Sequence, residues 1–238
     1  MCVLVVAWKQ HAAAPLVVAA NRDEAYARPA STPRVEVVEG TRVLLPSDHQ
    51  AGGTWEGANE AGLVAVITNR PDGDFDPARR SRGLLCRMAL SKRGILTLQR
   101  DLEVELSKQR YNSFNLFYAD EKSAYVSSWN GDLRTQRLEP GTYVLSNEHG
   151  IGELVVSELA ALPRAAPPFR RALVEILASH RPRDTDGFRI CKHGERYGTV
   201  SASLIYRDGH DFVLEHAPGP PCVTRFTAHR IRALPANR

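Results

Sequence analysis

The first 25 residues constrain this chain more than any other stretch. Residues 2–8 (Cys-Val-Leu-Val-Val-Ala-Trp) and 15–20 (Pro-Leu-Val-Val-Ala-Ala) are two nearly uninterrupted apolar runs. They are the length of strands, and the segment from Lys9 to Ala14 between them suits a hairpin turn. Strands that are apolar on both faces must be covered on both faces. The hairpin therefore belongs in the middle of a layered fold. Its second strand runs directly into Asn21-Arg22-Asp23-Glu24. Unpaired buried charge is strongly unfavourable, so these four residues form either a loop with a structural ion pair or a polar site at a strand end. Cys2 lies across the hairpin from them.

The remaining segments repeat the logic of hairpins and amphipathic helices. Residues 35–38 and 42–45 read as a short hairpin about Glu39-Gly40. Gly52-Gly53-Thr54-Trp55-Glu56-Gly57 precedes the turn Asn59-Glu60-Ala61-Gly62 and a strand over 63–68 that ends at Asn69. Glycines at 52, 53 and 57 predict close backbone approach or bulges. Ser81 is placed to cap a helix running to about Ser91, and a second amphipathic helix is predicted over 95–108. An antiparallel meander over 114–119, 124–129, 133–138 and 142–146 follows, with the hairpin signal Asn130-Gly131 at its centre and Asn147 just past its last strand. A short helix over 152–161, a break over 163–168, a helix over 169–180 and a loop over 181–187 lead to a hairpin of 199–206 with 212–216. The proline-rich tail reads as a surface strap. Strands joined by hairpins make antiparallel sheets. Two such sheets with helices outside them give an α+β, four-layer αββα sandwich, and a two-layer α+β fold also fits the pattern.

Composition bounds the function. A chain of 238 residues suits one large domain or two small ones, and one domain over 1–238 is expected. Its 31 basic and 27 acidic residues are interspersed, apart from short clusters such as Arg79-Arg80 with Arg82. That is a mild bias towards anionic ligands and not a nucleic-acid footprint. No apolar run approaches the roughly 20 residues of a membrane span, and the N-terminus lacks a signal-peptide pattern. A cytoplasmic location is expected. The four cysteines, Cys2, Cys86, Cys191 and Cys222, are scattered without a CxxC, and none of the eight histidines has metal-ligand spacing. Reduced thiols, no metal site and no cofactor are expected.

Cys2 is the cysteine whose position carries chemistry. It reads either as a small buried hydrophobe at a strand start or as a nucleophile. Removal of Met1 would give Cys2 a free α-amine, whose pKa of about 8 suits it to serve as base for its own thiol. Asn69 and Asn147, each at a strand end, read as residues satisfying backbone groups or as hydrogen-bond donors to a reacting carbonyl. Trp55 reads as a core aromatic or a substrate platform.

Taken in order, Met1-Cys2, Asn21-Arg22-Asp23-Glu24, Gly52-Gly53-Thr54-Trp55, Tyr111-Asn112-Ser113-Phe114-Asn115-Leu116, Gly141-Thr142-Tyr143-Val144-Leu145-Ser146-Asn147 and Tyr197-Gly198-Thr199 resemble the NRDE family, also called the transport and Golgi organisation protein 2 family. The matches span nearly the whole chain. The resemblance implies an N-terminal-nucleophile-type αββα fold, distantly similar to cholylglycine hydrolases and penicillin acylases with an N-terminal cysteine. Those enzymes cleave non-peptide amides. By that resemblance Cys2 matches the nucleophile, Asn21 and Asp23 match the strand-end motif, and Asn69 and Asn147 match two site asparagines. Ala20 occupies a slot that is arginine in those enzymes. Their late catalytic arginine has no matching motif here, Arg170 and Arg171 lying nearest.

The resemblance implies catalytic residues Cys2, Asp23, Asn69 and Asn147. Asp23 would hold the amine, and the two asparagines would hold the oxyanion. Arg22, Asn21 and Trp55 are candidate substrate contacts. Strand alternation separates Arg22 from Asp23 and points Arg22 towards Glu24 or a substrate carboxylate. The expected function is that of a cysteine hydrolase or acyltransferase acting on an amide or related acyl bond of a small molecule. Two rivals stand beside it: a non-catalytic carrier of haem or of lipid and acyl ligands on the same fold, and a thiol-based redox protein using Cys2.

Overall fold

The computed structural model describes residues 2–10, 14–73, 75–154, 156–163, 166–182 and 187–234. The Lys9–Ala14 turn, the 163–168 break and the 181–187 loop each include residues outside that set, as does Met1. Two antiparallel sheets pack face to face. One has six strands, in the order β10-β1-β2-β11-β12-β13, and the other has seven, in the order β3-β4-β5-β6-β7-β8-β9. The first comprises β1 (Cys2–Trp8), β2 (Leu16–Ala25), β10 (Gly141–Ser146), β11 (Tyr197–Asp208), β12 (Asp211–Ala217) and β13 (Thr227–Arg232). The second comprises β3 (Arg34–Val38), β4 (Thr41–Leu45), β5 (Glu56–Asn59), β6 (Val64–Asn69), β7 (Phe114–Ala119), β8 (Ala124–Trp129) and β9 (Leu133–Arg137).

Three apolar clusters make the layers. Leu4, Val6, Trp8 and Val18 meet Leu44, Val64, Val66 and Phe117 between the sheets. On the outer face of the first sheet, Val3, Val5, Val17 and Ala19 pack against Leu173, Ile176 and Leu177 of α3 (Ala166–Leu177). On the outer face of the second, Val43, Leu45, Ala65, Ile67 and Leu116 pack against α1 (Arg82–Ser91) and α2 (Ile95–Lys108). The fold is thus the four-layer αββα sandwich, and the central hairpin is buried on both sides as its composition demands. Among the described residues no helix is long and apolar enough to cross a membrane.

The structure corrects four sequence expectations. β10 does not continue the meander but crosses to the first sheet and pairs with β1. Its Leu145 enters the inter-sheet core and its Val144 the α3-side core. β9, nearly all exposed, is an edge that offers no such double cover. Among the described residues, the expected helix over 152–161 is a 3-10 turn at Ser157–Ala161. α3 starts earlier than expected, with Pro167 and Pro168 in its first turn, where a missing N–H costs nothing. The tail contains β13, an edge strand that pairs with β12. Only Ile231 of its six residues is buried, so it carries almost no hydrophobic signal.

Two of the glycines flagged by sequence mark close approaches. A Cβ on Gly57 would lie 2.7 Å from the Leu44 carbonyl oxygen, and one on Gly53 would lie 2.3 Å from the Gly83 carbonyl carbon. The Gly53 contact seats the first turn of α1, capped by Ser81 through its hydroxyl to the Gly83 N–H, against the loop before β5. Gly53→Ala must push backbone from backbone, and a loss of about 2–3 kcal/mol is expected from such overpacking. A lowered urea midpoint at unchanged m-value would register it; an unchanged midpoint would mean that the seat is not rigid.

Candidate active site

Three strand ends build the site. Cys2 opens β1, between β2 and β10. Its register partner on β2 is Arg22, so the two share the inter-sheet face. β10 ends at Ser146, whose hydroxyl accepts from the Glu148 and His149 N–H groups and turns the chain sharply. That turn leaves Asn147 beside Cys2. The Cys2 nitrogen donates to Asn147 Oδ1 at 3.0 Å, and the Asn147 N–H returns a bond to the Cys2 carbonyl at 3.3 Å. Asn69 ends β6 on the opposing sheet, paired with Phe114.

Cys2, Arg22, Asp23, Trp55 and Asn69 line one cleft of about 340 Å³. An adjoining recess of about 240 Å³ is lined by Asn69, Arg82 and Asn147. The four residues expected to carry catalysis are thus brought to one place. The Asn69 carboxamide makes no hydrogen bond among the described residues, and neither does Asn147 Nδ2, so both amides keep donors for a ligand. Asn21 takes no part in the cleft: its Nδ2 donates to the Leu177 and Ile190 carbonyls, at 2.8 and 2.9 Å, tying α3 and the segment before β11 to the sheet.

Asp23 is held from three directions. Thr199 donates to its Oδ1 at 2.7 Å, Tyr197 donates to its backbone carbonyl at 2.6 Å, and Lys192 Nζ lies 3.9 Å from its Oδ2. A β-bulge between Thr199 and Ser201 sets this alignment opposite β2, in keeping with the use of bulges to aim side chains at sites. The motif Tyr197-Gly198-Thr199 therefore acts on Asp23, a role its sequence position alone does not reveal. Burial raises the Asp23 carboxyl to about 6, and the Thr199 bond opposes the rise. Burial also raises the Cys2 thiol above its usual value, while the Asp23 backbone N–H and the Arg22 charge favour the thiolate.

Arginines dominate the walls. Arg22 does pair with Glu24, at 3.9 Å, yet it also stands across from Cys2 with its guanidinium 4.2 Å from the centre of the Trp55 ring. Trp55 Nε1 in turn donates to buried Glu56. Arg82, at the start of α1, donates to the Ser113 carbonyl and makes no ion pair among the described residues. Burial lowers its pKa, and Arg82 lines the same cleft as Cys2. Sequence reading missed Arg82; its signal was the arginine cluster at 79–82. Arg170 and Arg171 are elsewhere, paired with Glu215 and Glu175 on the α3 side.

This geometry, a strand-initial cysteine with its nitrogen held by an asparagine at the edge of two packed sheets, defines a chain with the fold of N-terminal-nucleophile hydrolases. The solved structures agree. The N-acylethanolamine-hydrolyzing acid amidase ortholog of Caenorhabditis elegans superposes with a TM-score of 0.56 at 15% identity, over 86% of this chain and 92% of that one. A variant of conjugated bile acid hydrolase from Clostridium perfringens does so with a TM-score of 0.51 at 12% identity, over 100% of this chain and 99% of that one. Within that class, the family model described as Transport and Golgi organisation 2 matches residues 1–159, and the chain belongs to that family. The transport and Golgi organization protein 2 homologs of Homo sapiens and Bos taurus are each 34% identical to it, over 143 and 142 residues. Those alignments cover 56% of this chain and 50% of each relative, so the chain matches about half the length of these relatives.

Proposed function

We propose that the protein is a cytoplasmic N-terminal-cysteine hydrolase or acyltransferase that cleaves an amide or related acyl bond of a small molecule. The observation that carries the reading is the Cys2 nitrogen bonded at 3.0 Å to Asn147 Oδ1, beside a cleft shared by Cys2, Asp23 and Asn69. Once Met1 is cleaved away, that nitrogen is an α-amine. The Cys2 sulfur then bonds to the substrate carbonyl carbon while the thiol proton passes to the amine. The Asn69 and Asn147 amides donate to the oxyanion. As the carbon–nitrogen bond breaks, the proton goes to the leaving amine and a thioester remains on Cys2. Water, activated by the α-amine, hydrolyses the thioester and restores the thiol; an acceptor amine in place of water gives acyl transfer. Asp23 fixes the amine, and burial of its carboxyl makes it responsive to that neighbouring charge. Arg22 and Arg82 supply the positive field that an arginine in place of Ala20 would otherwise give, and favour the thiolate. They also suit a substrate carrying an anionic group on the acyl or amine side.

Intact mass and an acyl-thiol probe test this together. The purified protein is expected to lack Met1 and to gain one acyl adduct at Cys2 that Cys2→Ala cannot form. Retention of Met1 with no adduct would rule out the self-activated nucleophile. Saturable haem binding that is indifferent to Cys2→Ala, without acylation, would favour the carrier role.

A further inference from the structure

A second cluster lies behind the wall that holds Asp23. His180 follows α3, Cys191 and His193 precede β11, and Cys222 lies in the connection from β12 to β13. One donor atom from each of the four falls within 4.8 Å of all the others. The two sulfurs are 3.8 Å apart, and His193 Nε2 is 3.7 Å from the Cys191 sulfur and 3.3 Å from that of Cys222. A disulfide needs its sulfurs at about 2.05 Å. A tetrahedral zinc with bonds of about 2.3 Å to sulfur and about 2.05 Å to nitrogen sets its ligand atoms roughly 3.8 Å apart for S–S and roughly 3.6 Å for S–N. These three separations match those edges within a few tenths of an ångström. Thiol–imidazole hydrogen bonding explains one contact at a time, whereas it does not call for four such donors around one point.

We propose that His180, Cys191, His193 and Cys222 form a structural Zn²⁺ site. Two thiols lose their protons to solvent on binding, and the two thiolates neutralise the dication. Four protein ligands leave no open position for a substrate, as in zinc sites that serve as staples. The staple joins three segments separate in sequence. It also reaches the active site. Lys192, between two of the ligands, has its Nζ 3.9 Å from Asp23 and 3.8 Å from Glu148. The Lys192 N–H donates to the Thr199 hydroxyl that itself donates to Asp23. The metal would thus fix the backbone from which Asp23 is positioned. All four ligands lie beyond residue 159, outside the part matched by the family model. This inference does not depend on any chemistry at Cys2.

Metal content and cobalt spectroscopy decide it. Protein purified without chelator is expected to carry about one zinc per chain. After chelation and addition of Co²⁺, the unaltered protein should show the intense visible bands of tetrahedral cobalt and a thiolate-to-cobalt charge-transfer band. Cys222→Ser should abolish the charge-transfer intensity of that thiolate. His180→Ala, at an exposed position just past a helix, should keep the fold and weaken the metal affinity at least tenfold. Cobalt without tetrahedral bands in the unaltered protein would overturn the proposal, and so would an intact mass two hydrogens light from a Cys191–Cys222 disulfide.

Discussion

Asn69→Ala is expected to slow acylation of Cys2 by roughly 10²–10³-fold, the cost of losing one oxyanion donor, with stability held to within about 0.5 kcal/mol. The separation of the two effects follows from geometry. The Asn69 side chain has no hydrogen bond among the described residues, so truncating it breaks nothing in the resting protein. Its position at the end of β6, where the cleft and the adjoining recess meet, makes it a donor in reserve. Asn147→Ala should behave differently. It removes the acceptor that holds the Cys2 nitrogen, so it costs positioning of the amine as well as a donor. Asn21→Ala should lower stability with little effect on the acylated fraction, because Asn21 binds two buried carbonyls away from the cleft. Single-turnover labelling followed by mass, beside urea unfolding of the same proteins, separates the three. Labelling of Asn69→Ala at the unaltered rate would mean that the oxyanion is held elsewhere.

The contrast among these asparagines shows what the sequence could and could not disclose. The central hairpin was legible because its apolar runs are local and admit one arrangement. α2 was legible to its ends because its apolar residues recur on one face. Asn69 and Asn147 stood out as polar residues at strand ends, but only the family resemblance joined them to Cys2, since their meeting depends on how two sheets stack. The crossing of β10 was hidden because Pro140-Gly141 reads as one more tight turn, and no local signal tells which sheet the next strand joins. Counting from Asp23 points Arg22 towards Glu24 or a substrate carboxylate and says nothing of Cys2. Counting across the hairpin instead sets it on the Cys2 face. The arginine cluster at 79–82 is visible in the sequence, but the place of Arg82 in the cleft and the His180–Cys222 cluster were not, for a common reason. Each depends on loops brought together by the packing of elements distant in sequence, and their spacing follows no repeat that a single stretch could show.

Glu56→Gln should stabilise the protein by up to about 3 kcal/mol above pH 7 and by almost nothing near pH 4.5, the size following from the shift of its pKa. Glu56 lies on β5 beneath the Arg22–Trp55 stack, 1% exposed. Burial raises its carboxyl from 4.5 to about 7, against the opposing hydrogen bonds from Ser203 and Trp55. Between those two values the folded chain binds more protons than the unfolded one, so this group's contribution to stability falls as pH rises and is most unfavourable above 7. A glutamine keeps the shape and an oxygen to accept from Ser203 and Trp55, but has no charge to bury. Ser203 links Glu56 to His216, whose Nδ1 is 3.1 Å from the Ser203 hydroxyl and whose pKa burial lowers from 6.5 to about 4. His216 works with the opposite sign: its contribution is lost as pH falls from 6.5 to 4. The two buried groups therefore offset each other across nearly the same interval. Removing the carboxyl alone should expose the His216 slope. Taking the difference between Glu56→Gln and the unaltered protein at each pH cancels the other carboxylates, Asp23 included. Chemical unfolding from pH 4.5 to 8 would trace that difference. If it stayed constant with pH, Glu56 would be ionised throughout, and the guanidinium of Arg22 would be outweighing the cost of burial.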